Sequence, residues 1–498
     1  MAGNRDPDFG GDQALIVGLG REGTALACFL AERGARVTVT DKKPAEMLAD
    51  SLAALAGLPV ALALGGHPRE LLDTAGIVFV SPGVPLEIPL LEEARRRGIP
   101  LSSETRLFTR LCPAPVIGIT GSSGKTTTTA LLGKMLEASG RRTWVGGNIG
   151  RPLIGHLGEI APTDAVVMEL SSFQLEFFGS WSGIQRQGSA LFDPKGWSPH
   201  IAAILNITPN HLDRHPTMEA YIAAKAHILA EQGPDDVAVL NLDDGVARQM
   251  GDEILRRAPW PDRQDRQNSG GSGRQHVAWF SLVDTVEEGA FLHGTDLMLR
   301  LAGHEAVVCR GDKVKLIGRH NLSNLLAACA LAGVAGAPVK AMRQVATTFS
   351  GVEHRLELVR ERNRVRWYND SIATSPERAA AALRAFEAPV VLLAGGRDKH
   401  LPWEELAALA MRKVRHLILF GEAAGLIERA MRAAATGEQT CEIHQAGTLE
   451  GAVELAAQLA QPGDVVLLSP GGTSFDAYRD FVARGEHFRE LVKALGQG

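Results

Sequence analysis

The stretch Val116-Ile-Gly-Ile-Thr-Gly-Ser-Ser-Gly-Lys-Thr126 decides the fold at the centre of this chain. Its apolar beginning, Val116–Ile119, predicts a buried strand, and the spacing of apolar residues from Thr126 to Ser139 predicts a helix. Glycines between a strand and a helix let the backbone N–H groups at the helix N-terminus approach an anion closely. The stretch therefore predicts a phosphate-binding loop, in which Lys125 contacts the β- and γ-phosphates of a nucleotide and the Thr126 hydroxyl reaches Mg²⁺.

One position of this loop departs from the common pattern G-x-x-x-x-G-K-[ST], because Ile119 stands where the first glycine is expected. The loop instead reads G-x-x-G-x-x-G-K-T from Gly118 onward. An alternative interpretation is a glycine turn with a surface lysine. The strand before the loop, the helix after it and the three threonines that follow Thr126 favour the phosphate loop.

Strand-like runs alternate with helical stretches on both sides of this loop. The first series contains Ala14–Val17, Val37–Thr40 and Ile77–Val80, and the pattern begins again at the phosphate loop and near Val390–Leu393. Such β-α-β alternation predicts parallel sheets with helices on their faces. We therefore predict an α/β protein of three domains. These are an N-terminal Rossmann-like domain over residues 1–110, a central P-loop ATPase-type domain with a parallel or mixed sheet over 111–350, and a C-terminal Rossmann-like domain over 351–498.

The composition argues against several classes of protein. The 498 residues include 52 Lys and Arg and 57 Asp and Glu, a formal net charge of −5, whereas nucleic-acid-binding proteins usually carry a basic excess. The five cysteines show no zinc or disulfide spacing, which favours a reducing cytoplasm. No apolar run reaches the length of a membrane span. Two polar segments, 180–198 and 259–275, are predicted to be inserted surface loops.

Three further residues are candidates for metal or phosphate chemistry. Glu169 ends an apolar run, and an acid at the end of a buried strand is where P-loop enzymes hold Mg²⁺. His211 follows the next apolar run and is a candidate ligand or base, and Lys225 lies in a helical stretch. Taken singly, each of the three is better explained as a solvated or structural side chain, and it is their combination with the phosphate loop that favours a functional role. Asp213 and His215 are explained equally well as surface residues.

A second glycine turn, Gly18-Leu-Gly-Arg-Glu-Gly23, also follows a strand and opens a helix. Asp41 ends the next strand, and this layout matches the dinucleotide-binding fingerprint. Alone it would favour an NAD-dependent oxidoreductase. A helix N-terminus binds a diphosphate whatever the nucleoside, so the diphosphate of uridine fits this turn as well.

Together these motifs resemble the Mur ligase family, ATP-dependent amide-forming enzymes of peptidoglycan precursor synthesis. The resemblance covers nearly the whole chain apart from the two inserted segments. Its motifs are Gly118–Thr128, Gly147–Gly150, Glu169–Glu176, Asn206–Arg214, Lys225, Gly318–Asn324, His354-Arg355, Asn369–Thr374, Gly395–Lys399 and Ser469–Phe475.

The C-terminal motifs select one activity within the family. Asn369-Asp-Ser-Ile-Ala-Thr-Ser-Pro376 and Ser469–Asp476 are similar to those of the member that adds D-glutamate to UDP-N-acetylmuramoyl-L-alanine. Ile372 departs from the family pattern, which usually has a lysine at this position. The departure removes any role for a lysine there and leaves the class of enzyme unchanged.

The resemblance implies that ATP phosphorylates the substrate carboxylate and that the amine of D-glutamate attacks the resulting acyl phosphate. It implies the partners UDP-N-acetylmuramoyl-L-alanine, D-glutamate and ATP, two Mg²⁺ ions, and a monomer in the cytoplasm. Residues 1–110 would bind the UDP substrate, 111–350 ATP and 351–498 the amino acid. The first Mg²⁺ would be held by Thr126 and Glu169. The second would be held by His211 and by Lys225, which carries a carbamate derived from CO₂ in this family.

The remaining roles that the resemblance implies fall into three sets. The catalytic set is Lys125, Glu169, His211, Lys225 and Arg355. The ATP-binding set is Gly121, Ser122, Ser123, Gly124, Lys125, Thr126, Thr127, Asn321, Asn324, Arg355 and Asp370. The set that binds the UDP-sugar and D-glutamate is Gly18, Gly20, Asp41, Lys42, Asn148, Thr374, Lys399, Ser474 and Phe475.

Three alternatives remain at this point. The first is another amide ligase of the family, either a different muramyl ligase or an enzyme like folylpolyglutamate synthase. The second is an NAD-dependent oxidoreductase built on Gly18–Gly23, which leaves the phosphate loop unexplained. The third is a non-catalytic nucleotide-binding module, which needs the phosphate loop but not Glu169, His211 and Lys225 together.

Overall fold

The computed structural model describes residues 8–180, 191–209, 214–257, 276–316, 318–399, 401–435 and 441–496. Its contacts divide the chain into two compact units. One contains the chain up to Val314 together with Arg319–Thr348, and the other contains Lys315–Gly318 together with the chain from Phe349 onward. The described part of the first unit carries two sheets and that of the second carries one. The predicted α/β class with three sheets is therefore confirmed.

The N-terminal sheet is built from a β-α-β series. Its elements are β1 (Gln13–Val17), α1 (Arg21–Glu32), β2 (Arg36–Asp41), α2 (Ala49–Ala54), β3 (Val60–Leu64), β4 (Ile77–Val80), α3 (Pro89–Arg96), β5 (Leu101–Ser102) and α4 (Glu104–Leu111). The strand order is β3-β2-β1-β4-β5, and every pairing is parallel. Strands β1 and β4 are almost continuously buried, as expected for a parallel sheet covered by helices on both faces.

The central sheet has nine strands in the order β14-β13-β12-β11-β10-β9-β6-β8-β7. The pairings from β7 to β12 are parallel, whereas β12, β13 and β14 form an antiparallel meander. The elements are β6 (Val116–Thr120), α5 (Lys125–Ala138), β7 (Thr143–Gly147), β8 (Ala165–Glu169), α6 (Ser172–Leu175), β9 (Ile201–Ile204), α7 (Met218–Ala230), β10 (Val237–Asn241), α8 (Gly245–Arg257), β11 (His276–Ser281), β12 (Gly289–His293), β13 (Asp296–Leu301), β14 (His304–Arg310), α9 (Arg319–Val334) and α10 (Val339–Thr348).

One hydrophobic core connects these two sheets within the first unit. Phe29 of α1 and Phe108 of α4 belong to the same buried cluster as Ile154 and Leu175, which follow β7 and β8. Burial of large apolar side chains stabilises a fold in proportion to the area removed from water. The shared cluster therefore fixes the N-terminal sheet against the central sheet.

The C-terminal sheet has the order β15-β16-β20-β17-β18-β19. Its one antiparallel pairing among the described strands joins β15 and β16, and the other pairings are parallel. The elements are β15 (Glu357–Arg362), β16 (Val365–Asn369), α11 (Pro376–Arg384), β17 (Val390–Gly395), α12 (Glu404–Lys413), β18 (Val414–Phe420), α13 (Ala424–Ala434), β19 (Glu442–Gly447), α14 (Leu449–Leu459), β20 (Val465–Gly471) and α15 (Phe481–Ala494).

The strands predicted from apolar runs fall within β1, β2, β4, β6, β8 and β17 and match each end of these strands to within two residues. The sequence did not predict the meander β12–β14 or the hairpin β15–β16. Segment 259–275 and most of 180–198 lie outside the described residues, so their interpretation as loops stays a prediction. Across the described chain, no helix combines the length and apolar character needed to cross a lipid bilayer.

Candidate active site

The predicted phosphate loop lies between β6 and α5, at the carboxyl end of the central sheet. Gly124 precedes the helix with a φ of 81°, a backbone conformation that glycine adopts without strain. A Cβ atom at this position would also lie 2.2 Å from Oδ1 of Asn324 on α9. Glycine is therefore required here both by the backbone angle and by the close approach of α9. The contact places Asn324 beside the loop, and its amide also donates to Oδ1 of Asn321 at 3.2 Å.

Two lysine amines converge on the loop. Nζ of Lys125 donates to the Gly121 carbonyl at 2.9 Å, and Nζ of Lys225 donates to the same carbonyl at 3.0 Å. The Lys225 side chain is only 1% exposed, which excludes the solvated lysine as an explanation. Burial and the neighbouring charge of Lys125 lower the pKa of Lys225 to about 7, while Glu169 opposes this shift.

Glu169 ends β8 beside the loop, because β8 pairs with β6 in a register that sets Glu169 opposite Ile119. Its carboxylate accepts a hydrogen bond from the Thr126 hydroxyl at 2.8 Å and another from Nδ2 of Asn148 at 2.8 Å. Glu169 is 2% exposed, so a solvated strand-end carboxylate is also excluded. Hydroxyl and carboxylate oxygens are the donors that Mg²⁺ prefers, and the pair therefore fits a single ion.

The segment after β9 holds the loop from the other side. Asn206 accepts the N–H groups of Ser122 and Ser123, each at 2.9 Å, through its carbonyl and its side-chain oxygen respectively. His211 and Asp213 lie outside the described residues, so their predicted roles are not tested.

His215, which the sequence allowed as a surface residue, is instead buried at 3% exposure. Its Nε2 lies 3.0 Å from the Ser172 hydroxyl, and its ring stacks on Phe173 with the ring planes 6° apart. Its ring centroid also lies 5.2 Å from that of Tyr221, and its Nδ1 lies 3.5 Å from Oε1 of Glu176. Tyr221 in turn reaches Ser122 of the loop, with 3.1 Å between the two hydroxyl oxygens. The buried histidine thus supports the loop from behind.

The first glycine turn lies between β1 and α1. A Cβ on Gly23 would lie 2.0 Å from the Gly18 carbonyl oxygen, so the turn closes only with glycine at this position. Asp41 accepts the backbone N–H of Leu19 at 2.7 Å and that of Lys43 at 2.8 Å. The Asp41 carboxylate is buried, and its hydrogen bond to Leu19 stabilises the turn. Gly20 and Lys42, which the sequence also assigned to this site, are exposed beside it.

Asn148 connects the two glycine turns. Nη2 of Arg21, the first residue of α1, donates to the Asn148 carbonyl at 3.5 Å, while the Asn148 side chain donates to Glu169. Both turns therefore lie on one side of the first unit with one residue between them. This is the arrangement that a reaction between a diphosphate-bound substrate and a nucleoside triphosphate requires.

A buried polar cluster behind the first turn was not predicted. Nε2 of Gln174 donates to Oε1 of Glu22 and to the Thr105 hydroxyl, each at 3.0 Å. Burial raises the pKa of Glu22 to about 7, and burial together with the charge of Glu22 raises the pKa of Glu104 to about 8. The only local signal was the sequence Ser171-x-x-Gln174, which forms a capping box on α6.

The second unit carries Arg355 and Asp370. The Asp370 carboxylate accepts the Ser469 hydroxyl at 2.8 Å and the backbone N–H of Leu356 at 3.2 Å. Burial raises the pKa of Asp370 to about 7, and the charge of Arg355 opposes this shift. Asp370 therefore ties the turn around Arg355 to the end of β20.

The four residues predicted to bind D-glutamate lie on loops after three adjacent strands, β16, β20 and β17. Nζ of Lys399 donates to the Thr374 hydroxyl at 3.4 Å, and burial lowers the pKa of Lys399. Arg397 and Thr473 exchange two backbone hydrogen bonds of 2.9 Å, which join two of the loops. Ser474 and Phe475 follow Thr473 directly. Ser474 is 2% exposed, whereas Phe475 is 61% exposed and is free to contact a ligand.

Arg484 holds these loops in place, and no sequence motif marks this residue. Its side chain is fully buried, and burial lowers its pKa to about 10. Nη2 donates to the Ser371 carbonyl at 2.9 Å, and Nη1 donates to the Gly472 carbonyl at 3.2 Å. One side chain on α15 therefore holds the loop after β16 and the loop after β20.

Three family models match the chain in succession. The Mur ligase MurD-like N-terminal domain matches residues 12–103, the Mur ligase middle domain matches 119–332, and the Mur ligase glutamate ligase domain matches 354–472. These ranges contain the first glycine turn, the phosphate loop with Glu169 and Lys225, and Arg355 with Asp370 and Lys399, respectively. These parts of the candidate site thus lie in matched domains, whereas Ser474, Phe475 and Arg484 follow the last matched residue.

Individual proteins match over the whole chain. The UDP-N-acetylmuramoylalanine–D-glutamate ligase of Symbiobacterium thermophilum is 45% identical and covers 97% of this chain and 98% of its own length. The ligase of the same name from Pelotomaculum thermopropionicum is 39% identical and covers 99% of both. The solved structure of the UDP-N-acetylmuramate-alanine ligase MurC from Thermotoga maritima, with 18% identity, 97% and 99% coverage and a TM-score of 0.54, shares the fold. By sequence domain, full-length relatives and fold, the chain belongs to the Mur ligase family.

Proposed function

We propose that this chain adds D-glutamate to UDP-N-acetylmuramoyl-L-alanine in a step of peptidoglycan precursor synthesis driven by ATP. Two relatives that match its whole length carry the name of this activity. The structural observation that carries the proposal is the contact series from Arg21 through Asn148 to Glu169. A UDP-sugar bound at the first glycine turn and ATP bound at the second would meet at the Glu169 carboxylate.

The reaction must first activate a carboxylate, which is a poor acyl donor at neutral pH. A carboxylate oxygen of the L-alanine residue attacks the γ-phosphorus of ATP, the bond to the β-phosphate oxygen breaks, and ADP leaves. The amine of D-glutamate then attacks the carbonyl carbon and loses a proton. Inorganic phosphate leaves from the tetrahedral intermediate, and an amide remains. Since the first step brings two anions together, positive charge at the phosphate loop lowers its barrier.

The phosphate loop supplies this charge. Lys125 and the backbone N–H groups of the loop bind the phosphates, with Thr127 and the asparagines of α9 on the nucleotide side. Thr126 and Glu169 would hold one Mg²⁺, because their oxygens already lie 2.8 Å apart and Asn148 keeps the carboxylate in place. A bound Mg²⁺ neutralises charge on the phosphates.

We further propose that Lys225 carries a carbamate. With a pKa of about 7, a large share of its amine is neutral at pH 7 and able to attack CO₂. The N–C bond forms as a C=O π bond of CO₂ opens, the nitrogen releases one proton, and the neutral amine becomes an anion with two oxygens. This anion and His211 would hold a second Mg²⁺, since such oxygens suit the ion better than an ammonium group does. A ¹³C signal of a carbamate in protein equilibrated with labelled CO₂, absent in Lys225→Arg, is the expected result.

The remaining proposed roles concern the binding of the UDP-sugar, D-glutamate and ATP. Gly18, Gly20, Lys42 and Asn148 would bind the UDP-sugar, with Asp41 holding the turn. Lys399 would bind a carboxylate of D-glutamate as a point charge, beside Thr374, Ser474 and Phe475. Arg355 would contact the γ-phosphate and Asp370 the ribose side of ATP.

The proposed division of labour follows three domains, 1–110 for the UDP substrate, 111–350 for ATP and 351–498 for the amino acid. The working unit in this proposal is a monomer. The need for ATP supports a cytoplasmic location for the reaction.

Phosphate release from ATP with Mg²⁺ and UDP-N-acetylmuramoyl-L-alanine tests the function. It is measured in turn with D-glutamate, L-glutamate, L-lysine, meso-diaminopimelate and D-alanyl-D-alanine. We expect release only when the UDP-sugar and D-glutamate are both present, with one phosphate per amide formed. Release with another amino acid would assign a different muramyl ligase. If ATP binds but every amino acid fails, the assignment of the UDP-sugar to the first turn is wrong, and folates are the next substrates.

A further inference from the structure

Two histidines and one glutamate meet on the outer two strands of the C-terminal sheet. His416 lies on β18, and Glu442 and His444 lie on β19. Nδ1 of His416 is 3.2 Å from Oε2 of Glu442 and 3.3 Å from Nε2 of His444. Oε2 of Glu442 and Nε2 of His444 are 3.7 Å apart. Three atoms that each carry a lone pair for a metal therefore form one small triangle. In the part of the chain that the structure describes, this is the one such group of three.

The dimensions of the triangle match a metal site. Tetrahedral zinc binds imidazole nitrogen at about 2.0–2.1 Å and carboxylate oxygen at about 2.0–2.2 Å, so two ligands of one ion lie about 3.3–3.5 Å apart. The three observed separations lie close to this range. An ion placed above the triangle would contact all three atoms after shifts of a few tenths of an ångström.

Strand pairing holds the three side chains in place before any ion binds. The parallel register sets His416 opposite Glu442 and Ile418 opposite His444, so all three ligands project from the same face of the sheet. His416 is 8% exposed, and the Glu442 side chain is 69% exposed. The site is therefore fixed on its inner side and open to solvent on its outer side, which leaves coordination positions for water.

We propose that His416, Glu442 and His444 form a binding site for one divalent transition-metal ion of the zinc type. Imidazole ligands favour Zn²⁺, Co²⁺ or Ni²⁺, whereas Mg²⁺ prefers oxygen. The site is separate from the proposed catalytic residues, because its ligands lie in the first half of β18 and β19, whereas Lys399 and Ser474 follow the carboxyl ends of β17 and β20. The bound ion would join the edge strand β19 to β18 and stabilise the second unit.

The test uses the full chain, freed of metal with a chelator and then kept in millimolar Mg²⁺, which occupies oxygen-rich sites. Zn²⁺ binding is measured by calorimetry, and Co²⁺ binding by its visible absorption. We expect one Zn²⁺ per chain, a Co²⁺ spectrum of tetrahedral or five-coordinate type without a thiolate charge-transfer band, and a Zn²⁺-dependent rise in the melting temperature.

Three variants distinguish Zn²⁺ binding at this site from Zn²⁺ binding elsewhere on the chain: His416→Ala, His444→Ala and Glu442→Gln. Each should weaken Zn²⁺ binding at least tenfold, since loss of an outer-shell partner alone costs about 10–100-fold. His304→Ala, an exposed histidine on β14, is the matched control and should bind Zn²⁺ normally. Ligase activity with Mg²⁺ reports that each variant is folded. The proposal is overturned if the wild-type chain binds no Zn²⁺, or if folded His416→Ala and His444→Ala bind it as tightly as the wild-type chain.

Discussion

The two glycine turns of the first unit occupy the same place between a strand and a helix, but their surroundings differ. Each follows a buried parallel strand and begins a helix, and each has an acid at the end of a neighbouring strand. At the first turn, both oxygens of Asp41 accept backbone N–H groups. At the second, the oxygens of Glu169 accept a hydroxyl and a side-chain amide, while two lysine amines lie on the loop.

In the proposed function, this difference separates two tasks. The Asp41 carboxylate, which accepts backbone N–H groups, would hold the first turn in shape around a diphosphate without taking part in the chemistry. The Glu169 carboxylate, held by Thr126 and Asn148, would offer lone pairs to a cation beside the transferred phosphate. The side chains around each turn, rather than the glycine pattern, would therefore decide between binding and catalysis.

The largest expected effect comes from Glu169→Gln, which keeps the shape of the side chain and removes its charge. We expect kcat to fall about 10³-fold, because the Mg²⁺ that Glu169 would hold stabilises the transferred phosphate. Steady-state phosphate release measures the change. Glu159→Gln, an exposed acid of the same unit, is the control and should retain full activity. Near-normal activity in Glu169→Gln would remove the distinction between the two turns.

The next effect is on stability. Asp41→Ala removes two charge-assisted hydrogen bonds, one from Leu19 of the first turn and one from Lys43 after β2, and should lower the free energy of unfolding by about 3 kcal/mol. Urea denaturation measures this loss, and ATP binding at the second turn should persist in the folded variant. If stability is unchanged while UDP-sugar binding is abolished, Asp41 acts as a ligand contact and not as a brace.

The buried acids behind the first turn predict a pH dependence. The folded pKa of Glu104, about 8, lies above the ordinary value of 4.5, so the folded state favours the protonated form. This contribution to stability is complete below about pH 4.5 and is lost as the pH rises through 8. Glu104→Gln, which mimics the protonated acid, should therefore be more stable than the wild-type chain by about 2 kcal/mol at pH 8.5 and equal to it near pH 4.5.

Thermal unfolding across this pH range measures the difference between Glu104→Gln and the wild-type chain. Glu92→Gln, an exposed acid on α3, should follow the wild-type curve throughout. A constant difference at every pH would mean that the glutamine changes packing and that the buried charge has no part in it.

The smallest effect concerns a third turn after a buried strand, Gly395–Lys399. Lys399→Ala should raise the KM for D-glutamate about tenfold, a loss of about 1.4 kcal/mol, and leave the KM for ATP unchanged. Lys493→Ala, an exposed lysine of the same unit, is the control. A rise in the KM for ATP in Lys399→Ala would place Lys399 beside the nucleotide. The turn at Gly395–Lys399 would then share the nucleotide-binding role proposed for the phosphate loop.

The sequence predicted those parts of the fold whose signal is local. Buried parallel strands are continuous apolar runs, so β1, β4, β6 and β17 could be located, and the glycine turns followed from their position between strand and helix. The meander β12–β14 and the hairpin β15–β16 mix polar with apolar residues, and β14 and β15 are largely exposed or half-buried, so their signal in the sequence is weak. They were missed for that reason.

For the candidate site, too, the sequence revealed the residues that belong to local motifs and missed those joined by contacts between distant positions. Glu169 and Lys225 were found because each belongs to a motif, but a single sequence could not show that both are buried. The contact between Glu22 and Gln174 spans 152 positions, and the contact between Arg484 and Ser371 spans 113. Nothing local marks such pairs, since each of these polar residues alone is typical of a solvated surface.

The position of β20 has a consequence for synthesis of the chain. Strand β20 is the last described strand in sequence, yet it lies between β16 and β17. While the ribosome is still translating the residues before Val465, the C-terminal sheet lacks a central member, and its loops lack Arg484. Domains generally fold as units during synthesis, with N-terminal ones first. A nascent chain therefore completes its nucleotide loop well before it has a formed pocket for the amino acid, so incomplete translation products that can hold ATP are unable to consume it in the ligase reaction.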